Sequence, residues 1–455
     1  MSSIEELSKL SGQSDCSCVY GSRFAARPLP SRQFPDGGMP KDAAYQLIKD
    51  DLTLDGEPIL NLASFVTTYM EDEALKLLAE SANKNIIDQE EYSKSVEIEH
   101  RCLNILADLF HSPISDGAPT AFGTSCIGSS EAIMIATLAM KKRWEINRKA
   151  QGKDASNPNL IMSSGVQVCW EKFNITEKLI PCTETRYVID PGQAVDMIDE
   201  NTIGICAILG TTYTGQYEDV QAISKLLSKR GLDTPIHVDA ASGGFVAPFV
   251  NPDLVWDFKL PNVVSINVSG HKYGLVYPGI GWALWRSPEY LPEELVFNID
   301  YLGAEQLNFT LNFSKPASHI IAQYYQLIRL GRSGYTSIMR NLTRTADYLT
   351  SQLKEMGFVI MSEGGGRGLP VVVFRLSSTQ NAFLDEWALA RKLRERGWIV
   401  PAYTMAADFE TMGMMRIVVR TDFSMGRCMS LVQDVRDSLG ALAGLEIQNI
   451  QRYQA

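Results

Sequence analysis

Residues 203–239 read IGICAILGTTYTGQYEDVQAISKLLSKRGLDTPIHVD, and this stretch decides the fold class. Residues 203–209 are an apolar run of strand length. Residues 221–230 repeat apolar side chains at helical spacing, and 236–238 form a second short apolar run. Strand, amphipathic helix, strand is the rhythm of a parallel sheet with helices on its faces. Working outward, residues 263–268 predict another strand, and the chain from 61 to roughly 340 keeps alternating the two patterns. Before it lies a polar arm, 1–60, with one helical pattern at 41–49. A long helix is predicted over 317–330, directly after Pro316. A smaller α/β region, 339–455, follows the large domain of 61–338. It carries strands at 371–374 and 415–419, a helix at 384–394 and a final helix.

Of 455 residues, 53 are acidic and 42 basic, a formal charge of −11. With 45% hydrophobic and 21% charged residues, the chain buries large cores, which excludes disorder and fibre. An acidic surface argues against nucleic acid and anionic membranes as partners. No apolar run approaches the ~20 residues that span a bilayer; the best, 273–285, is interrupted by Pro278 and Gly279. The first residues hold two early glutamates and no apolar core, so a secretory signal is not expected. Eight cysteines without a Cys-x-x-Cys read as reduced, cytoplasmic usage. Cys16 and Cys18 are taken as incidental leader cysteines. No Walker loop and no His-Glu-x-x-His occurs, so neither nucleotide triphosphate nor metal chemistry is expected.

Three pieces carry chemistry. Gly128-Ser129-Ser130-Glu131 opens an apolar helix that reads as ending in Lys141, Lys142 and Arg143. A Gly-Ser-Ser turn at a helix N-terminus offers N–H groups and hydroxyls to a phosphate. Asp239 follows a strand directly, where ligands sit in open α/β sheets. Lys272, in Ser269-Gly270-His271-Lys272, follows the next strand. A lysine at a buried strand end has a lowered pKa and is nucleophilic, suited to a Schiff base with an aldehyde. A carboxylate on a neighbouring strand is the partner a pyridinium nitrogen needs, and pyridoxal 5'-phosphate uses both with a phosphate cradle. Singly, each piece has an ordinary reading: a plain N-cap at Ser129, a helix cap at Asp239, an amine reaching solvent at Lys272.

Further stretches make the sequence resemble the group II pyridoxal phosphate-dependent decarboxylases, within them the plant and bacterial glutamate decarboxylases. They are Asn-Leu-Ala-Ser-Phe-Val-Thr-Thr at 61–68, Asn-Lys-Asn-Ile-Ile-Asp at 83–88 and Val-Gln-Val-Cys-Trp-Glu-Lys-Phe at 166–173. His-Val-Asp-Ala-Ala-Ser-Gly-Gly-Phe at 237–245, Asn-Val-Ser-Gly-His-Lys-Tyr-Gly at 267–274 and Asn-Phe-Ser-Lys-Pro at 312–316 complete the set. The resemblance runs from about Tyr20 to the end of the small domain. It implies the fold type I, aspartate aminotransferase-like architecture of pyridoxal phosphate-dependent transferases. It implies decarboxylation of L-glutamate to 4-aminobutyrate.

By that resemblance Lys272 forms the Schiff base and Asp239 keeps the ring nitrogen protonated. Ser129, Ser130, Ser269 and His271 hold the phosphate, which Ser314 reaches from a neighbouring subunit. Gln167 covers one ring face, Ala241 the other, and Thr212 bonds the phenolic oxygen. Arg416 matches the family's carboxylate-binding arginine. Ser64 and the Phe65 backbone receive the distal carboxylate, with Asp88 joining from the partner subunit. The resemblance also implies self-association, a dimer as the minimal unit with hexamers among relatives.

The chain departs from the pattern in places. Its last residues hold no tryptophan or basic cluster, so calmodulin is not an expected partner. No histidine follows His319, so the terminal histidine plug of some bacterial relatives is not expected. The stretch after Phe173 is several residues shorter than the family usually shows. Residues 301–311 lie where relatives carry a shielding loop. Ser64, Asp88 and Arg416 together argue against an aromatic substrate, while acids of other length, aspartate or cysteine sulfinate, form the alternative.

Overall fold

The structure, a computed structural model, describes residues 29–115, 118–119, 122–165, 173–299, 306–377, 385–406 and 409–454. Residues up to Leu60 form one compact unit, and Asn61–Ala455 form another. The first unit carries helix α1, Lys41–Leu52.

In the second unit, seven strands build the large sheet: β1 Phe122–Cys126, β2 Asn159–Ser163, β3 Thr176–Ile180, β4 Thr202–Ile208, β5 Ile236–Asp239, β6 Val263–Ser269 and β7 Gly281–Trp285. Their order is β1-β7-β6-β5-β4-β2-β3. Only β7 runs against its neighbours; all other pairs are parallel. Every residue of β2, β4 and β6 is buried, as expected of strands covered on both faces. This is the α/β architecture expected from the sequence. Gly281–Trp285, part of the most membrane-like run, is thus a sheet strand. No described helix is long and apolar enough to cross a membrane.

Helices α2, Asp72–Glu80, and α3, Ser93–Leu109, precede the sheet, and α4, Ser129–Ala150, follows β1. The expected end of α4 near Arg143 is corrected. It runs about two turns further, through residues of ordinary helix propensity, and stops before Gly152, whose φ is 67°. Short α5, Pro191–Asp196, packs on α6, Val220–Arg230. The Asp219 side chain caps α6 by accepting the Ala222 N–H at 2.8 Å, and Gly231 ends it in the left-handed region. Residues Phe297–Ile299 and Gln306–Asn308 pair as an antiparallel hairpin. Part of the expected shielding loop, 301–305, lies outside the described residues.

Helix α7, Ser318–Glu355, is interrupted at Gly331, where φ is 58° and ψ −175°. The expected helix over 317–330 therefore stops where the sequence reading placed its end. Beyond lie β8 Val359–Ile360, β9 Val371–Arg375, α8 Glu386–Arg394, β10 Ala402–Thr404, β11 Gly413–Val418 and α9 Met425–Gln454. The four strands form an antiparallel sheet, β8-β9-β11-β10. The Gly331 backbone lies in a region that L side chains avoid, although a Cβ there would meet open space. Gly331→Ala is expected to destabilise the protein by about 1–3 kcal/mol. Urea unfolding checks this, and an unchanged midpoint would contradict it.

Candidate active site

The carboxyl ends of β5 and β6 deliver the two reactive groups side by side. β5 ends on Asp239, β6 on Ser269, and the turn after β6 carries His271 and Lys272. Asp239 Oδ1 accepts the Asn267 amide at 2.9 Å and the Ala241 backbone N–H at 3.1 Å. Lys272 Nζ donates to Ser242 Oγ at 3.2 Å and lies 5.6 Å from the Phe65 ring centroid. Desolvation pushes the amine pKa down; the Asp239 charge opposes this and the Arg416 charge adds to it. Lowering the pKa raises the share of unprotonated, nucleophilic amine. Thr67 holds the turn from outside, its N–H on the His271 carbonyl at 2.8 Å and its hydroxyl on the Lys272 carbonyl at 2.5 Å.

The phosphate cradle forms where β1 and β6 end and β7 begins. Cys126, Gly281 and Ser269 lie in one row across those strands. Gly128 caps α4 without any side-chain cap, so the first-turn N–H groups stay available with the hydroxyls of half-buried Ser129 and exposed Ser130. A Cβ on Gly281 would sit 2.6 Å from the Gly128 carbonyl carbon, so this close approach needs glycine. His271 Nδ1 pairs with the Ile280 carbonyl at 2.9 Å, which fixes the ring. The imidazole carbon Cε1 lies 3.6 Å from the Cβ position of Gly128. Burial lowers the His271 pKa, and the Lys272 charge adds to that. The fully buried Ser269 hydroxyl has no hydrogen-bond partner among the described residues. Helix N-terminus, hydroxyls and imidazole suit a phosphate monoester. The Lys272–Asp239 pair suits a pyridine aldehyde, so these residues fit pyridoxal phosphate.

Arg416 reaches this region from the middle of β11, opposite Val373. Its Nη1 donates to the Thr212 carbonyl and its Nη2 to the Ala63 carbonyl at 2.8 Å. The Thr212 backbone is thus one of the two acceptors that hold the guanidinium. The guanidinium carbon lies 4.9 Å from the Phe65 ring centroid and 5.3 Å from that of Tyr403. Phe65 thus stands next to both Lys272 and Arg416. Ser64 Oγ accepts the Val66 N–H at 3.1 Å, and the Ser64 carbonyl accepts Arg420 Nη1 at 3.0 Å. Leu62 joins the same segment to the small sheet, accepting the Val418 N–H at 2.9 Å.

Asp88 and Ser314 sit on a different pair of loops. Asn85 bridges Pro316, the Lys315 N–H donates to Asn85 Oδ1 at 3.1 Å, and the Ile86 N–H to the Lys315 carbonyl at 2.9 Å. Among the described residues no hydrogen bond or ion pair joins Asp88 or Ser314 to Lys272, Asp239 or Arg416. Ala241 is buried beside Asp239. Gln167 lies outside the described residues, as do Cys16 and Cys18.

Sequence reasoning missed Ser242, Thr67, Tyr403, Asn267, His237 and Glu131. Glu131 is buried and accepts the Ile127 N–H at 2.8 Å and the Asn312 N–H at 3.0 Å, tying the cradle to the Ser314 segment. Its place in the first helical turn was the only signal. His237 is 1% exposed, and burial lowers its pKa to about 4, against the opposing pull of Asp239 and the Asn267 hydrogen bond. Between about 4 and 6.5 the unfolded chain therefore binds a proton that the native state does not, so stability falls as pH falls through that window. Relative to His237→Gln, the wild-type protein is expected to lose about 2 kcal/mol between pH 7.5 and 5.0. Urea midpoints of both at the two pH values measure this; a constant gap would mean that burial does not shift the His237 pKa from its unfolded value.

Residues 35–377 match the family model described as the pyridoxal-dependent decarboxylase conserved domain. The chain is 52% identical over 434 residues to a glutamate decarboxylase of Solanum lycopersicum, covering 93% of this chain and 86% of that one. It is 44% identical over 439 residues to glutamate decarboxylase beta of Listeria innocua serovar 6a, covering 94% of each. Its structure is similar to that of Lactobacillus brevis CGMCC 1306 glutamate decarboxylase, with a TM-score of 0.89, 40% identity and 93% and 98% of the two chains covered. A Catharanthus roseus tryptophan decarboxylase, 20% identical with a TM-score of 0.74 over 96% of each chain, shares the fold. With the lysine turn, the strand-end aspartate and the cradle in place, the chain belongs to the pyridoxal-dependent decarboxylase family.

Proposed function

We propose that this chain removes a carboxyl group from L-glutamate as carbon dioxide, giving 4-aminobutyrate with uptake of one proton. The observation that carries this reading is one cluster: a desolvated Lys272 amine, Asp239 on the adjacent strand, and Arg416 held over Phe65. Relatives 52% and 44% identical carry the name glutamate decarboxylase. Pyridoxal phosphate, when bound, supplies an electron sink for the carbanion left by departing carbon dioxide. Lys272 supplies the amine that holds the cofactor. Asp239 holds a proton at the ring nitrogen, and Ser129, Ser130, Ser269 and His271 hold the phosphate. Gln167 and Ala241 enclose the ring. Arg416 binds one substrate carboxylate, while Ser64 and the Phe65 backbone receive the other. Clamping both ends would fix which carboxylate the site presents for loss.

Asp88 and Ser314 complete the site across a dimer. Among the described residues, no hydrogen bond or ion pair joins Asp88 or Ser314, on loops stitched through Asn85, to Lys272, Asp239 or Arg416 of the same chain. The large domain spans 61–338 and a small domain from 339 brings Arg416. A cytoplasmic protein fits the buried Cys102 and Cys126 thiols, whose pKa values burial raises. Carbon dioxide release across glutamate, aspartate and cysteine sulfinate, with added cofactor, tests the substrate. Faster turnover of aspartate than of glutamate would overturn it. An aspartate beside a bound carboxylate repels it unless one of the two is protonated, so kcat/KM is expected to rise on acidification from pH 7.5 to 5. A rate that climbs steadily toward alkaline pH contradicts this.

A further inference from the structure

The β5–β6 pair contains a largely buried polar ladder, formed by the side chains of His237, Asp239, Ser265 and Asn267. His237, Ser265 and Asn267 are each at most 1% exposed. The register sets His237 opposite Ser265 and Asp239 opposite Asn267, after a shift between Ile236 and His237. Ile236 pairs with Val263, so Val264 is the extra residue of a bulge. Without it Asp239 would face Ile266, and every polar residue of the ladder would meet an apolar one. The four side chains form a continuous chain of hydrogen bonds. Ser265 Oγ lies 2.8 Å from His237 Nδ1, His237 Nε2 lies 2.9 Å from Asn267 Oδ1, and Asn267 Nδ2 donates to Asp239 Oδ1 at 2.9 Å.

Hydrogen-bond chemistry fixes the direction of this chain. A carboxylate only accepts, so the Asn267 amide must turn its NH₂ toward Asp239 and its oxygen toward His237. His237 Nε2 must then carry a hydrogen, and neutral His237 accepts from the Ser265 hydroxyl through Nδ1. Among the described residues the donors to the Asp239 side chain, the Asn267 amide and the Ala241 N–H, both go to Oδ1, and Oδ2 receives none. One oxygen is thus loaded by the protein and the other is left for a ligand cation.

We propose that Asn267 is the positioning residue for Asp239 toward the cofactor's ring nitrogen, and that the His237 Nε2–H donor holds the Asn267 amide the right way round. A flipped amide would set its carbonyl against the carboxylate, repelling the anion the ring nitrogen needs. The inference rests on the reading of Asp239 given under Proposed function, and deepens it. His237 touches neither substrate nor cofactor in this scheme and acts only through Asn267.

The test uses two ligands and two histidine variants. Cofactor-free protein is titrated with pyridoxal phosphate and with its 1-deaza analogue, in which CH replaces the ring nitrogen, by quenching of intrinsic fluorescence. Asn267→Ala is expected to weaken pyridoxal phosphate about 10- to 100-fold, the scale for a hydrogen bond to a charged group. The 1-deaza analogue, with no nitrogen to meet Asp239, is expected to change less than threefold. Equal weakening of both ligands overturns the inference. Glutamine places its amide NH₂ where Nε2 stands, whereas asparagine reaches only the Nδ1 position. His237→Gln should therefore keep both the affinity and kcat near wild type. His237→Asn should lose about tenfold in each at an unchanged KM for glutamate. If the two variants lose affinity and kcat alike, the donor to Asn267 is not what matters. This pair decides the question even where Asn267→Ala fails to fold. A wild-type protein that binds pyridoxal phosphate no better than the 1-deaza analogue would overturn the role of Asp239 itself; carbon dioxide release from glutamate by that same protein reports separately on the activity.

Discussion

Lys272→Ala lowers carbon dioxide release from glutamate by at least about 10³-fold, the scale of losing a positioned nucleophile and proton carrier. The amine is the group in this cluster able to bond an aldehyde covalently, so its loss also abolishes retention of the cofactor. The wild-type protein keeps its yellow absorbance through dialysis, and the variant is expected to lose it. Folding does not suffer in parallel. Among the described residues Lys272 Nζ makes one hydrogen bond, to Ser242 at 3.2 Å, and its desolvation disfavours the charged form. Removing it takes away a cost as well as a contact, so the thermal midpoint of the cofactor-free variant stays level or rises, a common trade at reactive sites. Turnover within tenfold of wild type, with normal colour, would rule out Lys272 as the anchoring amine.

The sheet was legible because its strands are buried on both faces. Residues 203–209, 236–238 and 263–268 stand out as mostly apolar runs, and the observed strands differ from them by no more than a residue at either end. Phe122–Cys126 was missed, as were the less regular Asn159–Ser163 and Thr176–Ile180, because Gly123, Thr124, Asn159 and Thr176 break the apolar pattern. Reactive groups were legible for a different reason. Asp239 and Lys272 sit at strand ends, where a charged residue after an apolar run is conspicuous. Their supports were not. His237 and Asn267 look like ordinary interruptions of two strands until the bulge at Val264 sets them opposite Ser265 and Asp239. Register between strands is a tertiary fact, and nothing within either strand encodes it. Tyr403 and Thr67 lie far from Arg416 and Lys272 in sequence or on another element. The pairing of β10 with β11 brings Tyr403 to Arg416, and the folding of 61–68 between the small sheet and the lysine turn brings in Thr67.

That same segment explains why Arg416→Lys is expected to cost far more than a conservative change. The guanidinium bridges two backbone carbonyls from separate loops, Thr212 and Ala63, while lying against Phe65 and Tyr403. Its Nε is buried and has no partner among the described residues, leaving a third donor for a carboxylate. Tyr403 is itself pinned, its hydroxyl donating to the Tyr213 carbonyl at 2.9 Å. A lysine ammonium is a point donor that cannot span both carbonyls in a plane and still present a donor to the substrate. Losing one side of a buried, hydrogen-bonded charge pair costs about 2–5 kcal/mol, so kcat/KM for glutamate is expected to fall on the order of 10²–10³-fold. The split between constants identifies the role. If Arg416 binds the substrate carboxylate in ground and transition state alike, KM carries most of the loss. If it mainly orients the breaking bond, kcat falls instead. Cofactor affinity stays near wild type in either case, because no phosphate-cradle residue depends on Arg416. A variant that weakens cofactor binding as much as it weakens kcat/KM would show that Arg416 holds the 61–68 segment and the lysine turn together rather than receiving the substrate.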